Sequence, residues 1–270
     1  MAANRKPLPQ LAPATVSEFE GVRYLHLDTP WVQGAMRIAK PNAIELEYVQ
    51  RMMAWMLWRP ADALGVGHAV QLGLGAAAIT RFCHKELHMQ TTAVEINPSV
   101  IGMCRQWFRL PADDRRLTVV NDDAARWLAD PAHLQTVQVL SVDLYDHEAA
   151  APVLDDEAFY SACRDVLVVG DGSRDGDESE GGLMTVNLFG RDASFEASVR
   201  RIGNVFGADR VWNLRPTREG NTVVVATRGV ALPERATLAA RAETIEARFG
   251  LPARKWLRMI RVPLLPASPA

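Results

Sequence analysis

Short apolar runs that each stop at a glycine or a carboxylate, and each lead into a helix-like stretch, constrain this chain more than any other feature. Residues 69–72 run into Gly73-Leu74-Gly75, and the spacing that follows predicts a helix over 76–87. Residues 91–96 carry Glu95 near their end, and Asn97-Pro98 opens a helix to Phe108, since proline suits a first helical turn. Residues 117–120 end in Asn121-Asp122-Asp123 before a helix over 124–128, and residues 137–142 stop at Asp143. Strands separated by helices need crossover connections and so pair in parallel, which predicts an α/β fold with a mainly parallel sheet covered on both faces.

The flanks add to this body. Residues 22–27 alternate around Tyr24 and 31–38 supply a partner strand, with Asp28-Thr29-Pro30 at the turn, which predicts a small N-terminal β-hairpin unit. Over 43–58 the apolar residues Ile44, Leu46, Tyr48, Met52, Met53, Met56 and Leu57 recur at helical spacing until Pro60 ends the segment. Further on, the pattern predicts a helix over 156–168, an acidic Gly-rich loop over 170–182, a strand over 183–189 and a helix over 194–206. Strands over 210–214 and 222–227, a helix over 233–249 and a basic tail with Arg254, Lys255, Arg258 and Arg261 complete the chain. The expected division is 1–58 as hairpin and helix, 59–230 as the main α/β domain, and 231–270 as a C-terminal helix and tail.

Composition bounds the partners. The 270 residues are 48% hydrophobic and 23% charged, ordinary for a globular protein, and 30 Lys and Arg against 32 Asp and Glu leave a net charge of -2. That balance gives no global attraction to nucleic acid or to an anionic membrane. No run approaches the roughly 18 to 20 apolar residues of a membrane span, and the N-terminal stretch is expected to be frayed and not a targeting signal. Cys83, Cys104 and Cys163 are odd in number and widely spaced, arguing against a disulfide framework or a zinc site, so a cytoplasmic protein is expected. His84 and His88 sit four apart in HKELH with no third ligand, and are read as a surface pair, with no metal. Met52, Met53 and Met56 are read as core filling, the C-terminal cations as a solvated face, and Trp107, Phe108 and Trp127 as helix residues packed on the sheet.

Three features converge on a nucleoside cofactor. Gly73 and Gly75 let the backbone turn sharply and approach a ligand. Glu95 follows Gly75 by 20 residues at a strand end, where a carboxylate can accept from both ribose hydroxyls. Asp122 and Asp123 close the third strand, where one can accept from an adenine amino group. The run Gly73-Leu74-Gly75-Ala76-Ala77-Ala78 lacks the third glycine of a dinucleotide fingerprint and the Lys-Ser/Thr of a phosphate loop, which favours an adenosyl sulfonium over NAD or a nucleoside triphosphate.

After the fourth strand stand Asp143-Leu144-Tyr145-Asp146, then Ala151-Pro152-Val153-Leu154 and Phe159-Tyr160. An amine nucleophile, with a pKa near the 10.4 or so of lysine, must shed a proton before it attacks a carbon beside a sulfonium, and a strand-end carboxylate can orient it and take that proton. The stretch 70–160 thereby resembles the spermidine synthases, the polyamine aminopropyltransferases, in a divergent, spermidine-synthase-like bacterial branch. The resemblance implies a Rossmann-like S-adenosylmethionine-dependent transferase fold and a homodimer. It implies aminopropyl transfer from decarboxylated S-adenosylmethionine to an amine such as putrescine. It also implies Asp143 as the base and Asp146 as the acceptor-binding carboxylate. Glu95 would hold the ribose and Asp123, ahead of Asp122, the adenine; Gln33 and Tyr48 would line the acceptor side.

Departures from the family pattern keep two alternatives open. Ala76 stands where the family's Gly-Gly-Gly-Asp-Gly turn has its Asp, facing the donor's aminopropyl ammonium. The family's Tyr-Gln/His-Glu reads Tyr48-Val49-Gln50, and its late Tyr beside Pro-Thr is replaced around Pro216-Thr217-Arg218, where a cation would disfavour a diamine. The alternatives are a methyltransferase using S-adenosylmethionine itself and a non-catalytic nucleoside-binding homologue.

Overall fold

The computed structural model describes residues 11–145, 154–170, 181–189 and 193–262. The expected loop over 170–182 lies mostly outside these residues, as do Asp146 and Ala151-Pro152-Val153.

The N-terminal unit has three strands where the sequence pattern predicted two: β1 (Ala14–Phe19), β2 (Val22–Leu27) and β3 (Gly34–Arg37), paired antiparallel in that order. β1 was missed because its side chains are mostly exposed and carry no apolar face. A two-residue turn makes it a strand: Glu20 and Gly21 both have positive φ, 48° and 75°, the geometry that joins a tightly twisted hairpin. The segment before it is tied down as well, for Ser99 Oγ accepts from the Ala14 amide at 2.9 Å and Asn97 Nδ2 donates to Ala12 O at 2.8 Å. The helix expected over 43–58 is α1 (Glu47–Met52) continued by a tighter 3₁₀ turn over Met53–Trp58. All six residues of that turn are buried, so an apolar stretch without a polar face gave no periodicity by which to tell the two helix types apart.

The body follows as β4 (His68–Leu72), α2 (Ala78–Lys85), β5 (Gln90–Glu95), α3 (Pro98–Trp107), β6 (Leu117–Asn121), α4 (Ala124–Leu128), β7 (Val139–Val142), α5 (Glu157–Val166) and β8 (Gly182–Phe189). It ends with α6 (Ala193–Phe206), β9 (Val211–Asn213), β10 (Asn221–Arg228), α7 (Arg235–Phe249) and α8 (Ala253–Leu257). The seven strands lie in the order β6-β5-β4-β7-β8-β10-β9, with every pairing parallel except those of β10, which is antiparallel to both neighbours. One apolar layer, with α1, α2, α7 and α8, covers one face; a second, with α4, α5 and α6, covers the other. A third cluster joins the hairpin unit to α3 through Leu25, Met36, Ala76, Val100 and Phe108. The strand order reverses between β4 and β7, and a doubly wound sheet opens a ligand crevice at such a point, outside the carboxyl ends of its strands.

Two local expectations are corrected. His84 is fully buried, with Nε2 3.0 Å from Asp114 Oδ2, and only His88 is exposed, so the two are not a surface pair. Trp107 is 41% exposed beneath the Arg23 guanidinium, whereas Phe108 and Trp127 are buried as expected. Met52, Met53 and Met56 are core residues, and Arg254, Lys255, Arg258 and Arg261 are exposed. The tail is more than a solvated strip, because Arg261 exchanges backbone hydrogen bonds with Asn213 at the β9 edge. The three cysteines are buried thiols.

Candidate active site

The turn after β4 places backbone where a side chain cannot go. Gly73 has φ +83°, and a Cβ there would lie 2.2 Å from the carbonyl oxygen of Asp143, so the β4 and β7 ends approach within reach of one another only with glycine. Glu95, at the end of β5, is fixed between two loops, its Oε2 accepting from the Leu74 amide and its Oε1 from the Asn97 amide, both at 2.8 Å. Burial raises its pKa and these backbone donors oppose the rise. Each ionised oxygen can accept more than one hydrogen bond, which leaves capacity for a pair of vicinal hydroxyls.

At the end of β6, Asp122 Oδ1 accepts from the Asp123 amide at 2.8 Å and pairs with Arg126. Asp123 caps α4, its Oδ1 accepting from the Arg126 amide at 3.1 Å. Each keeps its second oxygen outside these bonds.

Asp143, just past β7, is held from two sides. The Tyr48 hydroxyl of α1 donates to Oδ2 at 3.2 Å, and Asn187 Nδ2 of β8 donates to Oδ1 at 2.9 Å. Asn187 is itself oriented by Asn221, whose Nδ2 donates to Asn187 Oδ1 at 3.2 Å. Burial raises the Asp143 pKa above the usual carboxylate range, while the amide and phenol donors pull it back; the same burial, and the neighbouring carboxylate, push the Tyr48 phenol well up. Tyr145 buttresses the strand end, donating to Asn187 O at 2.9 Å and accepting from the Phe189 amide at 2.5 Å. Asn187, Asn221 and Tyr145 were not singled out from the sequence. The available signal was Asn187, an amide in the otherwise apolar end of the strand expected over 183–189, since a buried polar group needs a partner.

These groups open into one cleft of about 860 Å³ that is lined by Gln33, Tyr48, Gly73, Gly75, Glu95, Asp122, Asp123 and Asp143 together. The hairpin supplies its roof: Trp31 and Gln33 line it, and Gln33 Nε2 is buried without a hydrogen-bond partner. Glu45, Glu47 and Glu219 bring further carboxylates, and no lysine or arginine among the described residues lines the cleft. Ala76 does not face it. That residue is buried beneath the hairpin, so close to Gly34 that a Cβ on Gly34 would lie 2.5 Å from the Ala76 amide nitrogen. Among the described residues no group of three or more His, Cys, Asp or Glu side chains is arranged to hold a metal ion. Among the described residues no helix is long and apolar enough to cross a membrane.

No family model matches the chain. Among solved structures it is similar to human methyltransferase-like protein 13 in complex with SAH, with TM-score 0.63 and 19% identity, over 76% of this chain and 93% of that one. It is also similar to spermidine synthase from Thermotoga maritima, with TM-score 0.58 and 18% identity, over 92% of this chain and 89% of that one. At such identities these neighbours establish the S-adenosylmethionine-dependent transferase fold, which methyl and aminopropyl transferases share. Sequence separates the two: a polyamine aminopropyltransferase of Neisseria meningitidis serogroup A is 31% identical over 230 residues, 82% of this chain and 81% of the relative. With fold, strand-end acids and that extent of identity in agreement, the chain belongs to the polyamine aminopropyltransferase family.

Proposed function

We propose that the protein transfers an aminopropyl group from decarboxylated S-adenosylmethionine to a small amine such as putrescine. The observation that carries the reading is Asp143, a carboxylate gripped by Tyr48 and Asn187 in a cleft with acidic walls and no lining cation among the described residues. In this reading Glu95 accepts from the ribose hydroxyls, Asp123 from the adenine amino group, and Gln33 donates from the roof. Asp143 orients the acceptor nitrogen and takes its proton. The nitrogen lone pair forms the new C–N bond at the propyl carbon next to sulfur, and the C–S electron pair leaves with methylthioadenosine. Negative walls favour a cationic donor and a cationic acceptor alike. Asp146 would add a carboxylate for the acceptor, as the family pattern implies. The division reads as 1–58, whose hairpin acts as roof, 59–230 as the donor-binding body and 231–270 as the C-terminal helix and basic tail, in a cytoplasmic homodimer.

Methyl transfer is the second reading, favoured by one observation: Ala76 lies under the hairpin and imposes no charge test on the donor's amino-acid end. Calorimetric titration with decarboxylated S-adenosylmethionine, S-adenosylmethionine and methylthioadenosine, followed by turnover with an amine panel, separates the readings. Tighter binding of the decarboxylated donor with amine-dependent release of methylthioadenosine is expected. Preference for the carboxylated donor with methyl transfer would replace the first reading by the second, and binding without any turnover would leave a nucleoside-binding homologue.

A further inference from the structure

We infer that Glu219 selects acceptors that carry a second ammonium group, an inference that rests on reading the cleft as an amine site. Glu219 stands on the turn between β9 and β10, where the sequence pattern drew attention only to its neighbour Arg218. Of the two, Glu219 lines the cleft and Arg218 is not among the lining residues. The turn is well determined: the Thr217 amide donates to Asn221 O at 2.8 Å, the Asn221 amide to Thr217 Oγ1 at 3.2 Å, and the Gly220 amide to Thr217 O at 3.2 Å. Thr217 is buried at its base and Gly220 takes the positive φ, +106°, that closes it. Two residues on, Asn221 hydrogen-bonds Asn187, which hydrogen-bonds Asp143. The backbone that carries Glu219 is thus registered to the carboxylate at the reacting end.

Among the described residues the other acids of the cleft are already engaged. Arg37 pairs with Glu45, Arg51 with Glu47 and Arg126 with Asp122, while Glu95 and Asp143 accept from the donors described above. Glu219 is exposed, and among the described residues it has neither an ion pair nor a hydrogen bond, so its carboxylate is left to meet whatever enters. Apolar side chains, among them Leu46, Leu154 and Phe189, share the walls, and a low-dielectric wall focuses the field of an uncompensated charge on the cleft. An amine held at Asp143 by one nitrogen therefore meets a second anion that rewards a second cation, and a monoamine offers none.

The test is calorimetric binding of 1,4-diaminobutane and 1-aminobutane to the full chain saturated with methylthioadenosine, for the wild type, Glu219→Gln and Glu219→Asp. The wild type is expected to prefer the diamine by about two- to fivefold, the size of one exposed charge contact. Glu219→Gln should remove most of that preference by weakening the diamine and not the monoamine, Glu219→Asp should restore part of it, and methylthioadenosine affinity should stay constant as a folding control. A diamine preference that survives in Glu219→Gln, or that is absent from the wild type, overturns the inference while leaving the amine site standing. Failure of the wild type to bind either amine overturns the amine-site reading and the selection role together.

Discussion

Asp143 is an acid whose surroundings disagree about its charge. Burial favours the protonated form, and Tyr48 and Asn187 favour the ionised one, with burial the larger effect. A carboxyl whose folded pKa is raised above its unfolded value binds protons more readily when folded, so the folded state loses stability as pH rises through that raised pKa. Replacing it by Asn removes this penalty and keeps the shape. Asp143→Asn should therefore unfold at a higher temperature than the wild type near neutral pH, while kcat falls by about a hundredfold or more, the range of a lost general base. A lower melting temperature together with lost methylthioadenosine binding would assign Asp143 a structural role instead. Asn187→Leu acts in the opposite electrostatic sense, because it deletes a donor to the ionised form. The acid limb of the pH profile of kcat/KM should move to higher pH, and an unmoved limb with a uniformly lower rate would mean that Asn187 only supports the strand. Residues such as Glu95, Asp123 and Asp143 were legible in the sequence because a strand-end acid before a helix has few other reasons to recur. Asn187 and Asn221 were not, since an amide inside a strand gains its meaning only from which strand lies next to it.

At the level of elements, the turn at Gly73 and Gly75 was readable from composition, while its relation to the hairpin was not. The family resemblance implies an acid where Ala76 stands; only the packing shows that position 76 is roofed by Gly34. Restoring the acid should for that reason fail to restore a donor contact. Ala76→Asp buries a carboxylate against backbone at van der Waals distance, and the expected result is a loss of about 1–3 kcal/mol in a denaturant titration, with no gain in affinity for the decarboxylated donor. A stable variant with tighter donor binding would show that the hairpin shifts to admit the side chain. Elements whose pattern depends on one buried face, such as α3 and α5, were located to within a residue or two. β1, exposed on most positions, and the 3₁₀ turn over Met53–Trp58, buried on all of them, lie at the two extremes where amphipathic periodicity vanishes.

For the whole molecule, alternating strands and helices were enough to imply a parallel sheet covered on both faces, and the reversal at β4 and β7 explains why acids from three separate crossovers meet. The insertion of β10 between β8 and β9 could not be read from the pattern, because a hairpin and an interleaved strand leave the same alternation in the sequence. That insertion brings Asn221 beside Asn187 and the β9–β10 turn to the cleft. The roof has a different consequence. β3 reaches the glycine turn by bare backbone contact, and the Gln33 backbone N–H is kept in place by a hydrogen bond to Leu25 O at 2.8 Å. A nucleoside seated between roof and turn has its full set of contacts only while the hairpin is closed, so its binding free energy adds to the local opening energy of the hairpin, about 2.7 kcal/mol at a hundredfold excess over Kd. Amide hydrogen exchange at Gln33 and along β2 should slow in proportion to methylthioadenosine concentration, far more than at the distant α7. Equal slowing everywhere would mean that the hairpin opens only when the entire protein does. Local slowing would make the hairpin a gate whose dwell time sets how fast the spent nucleoside leaves.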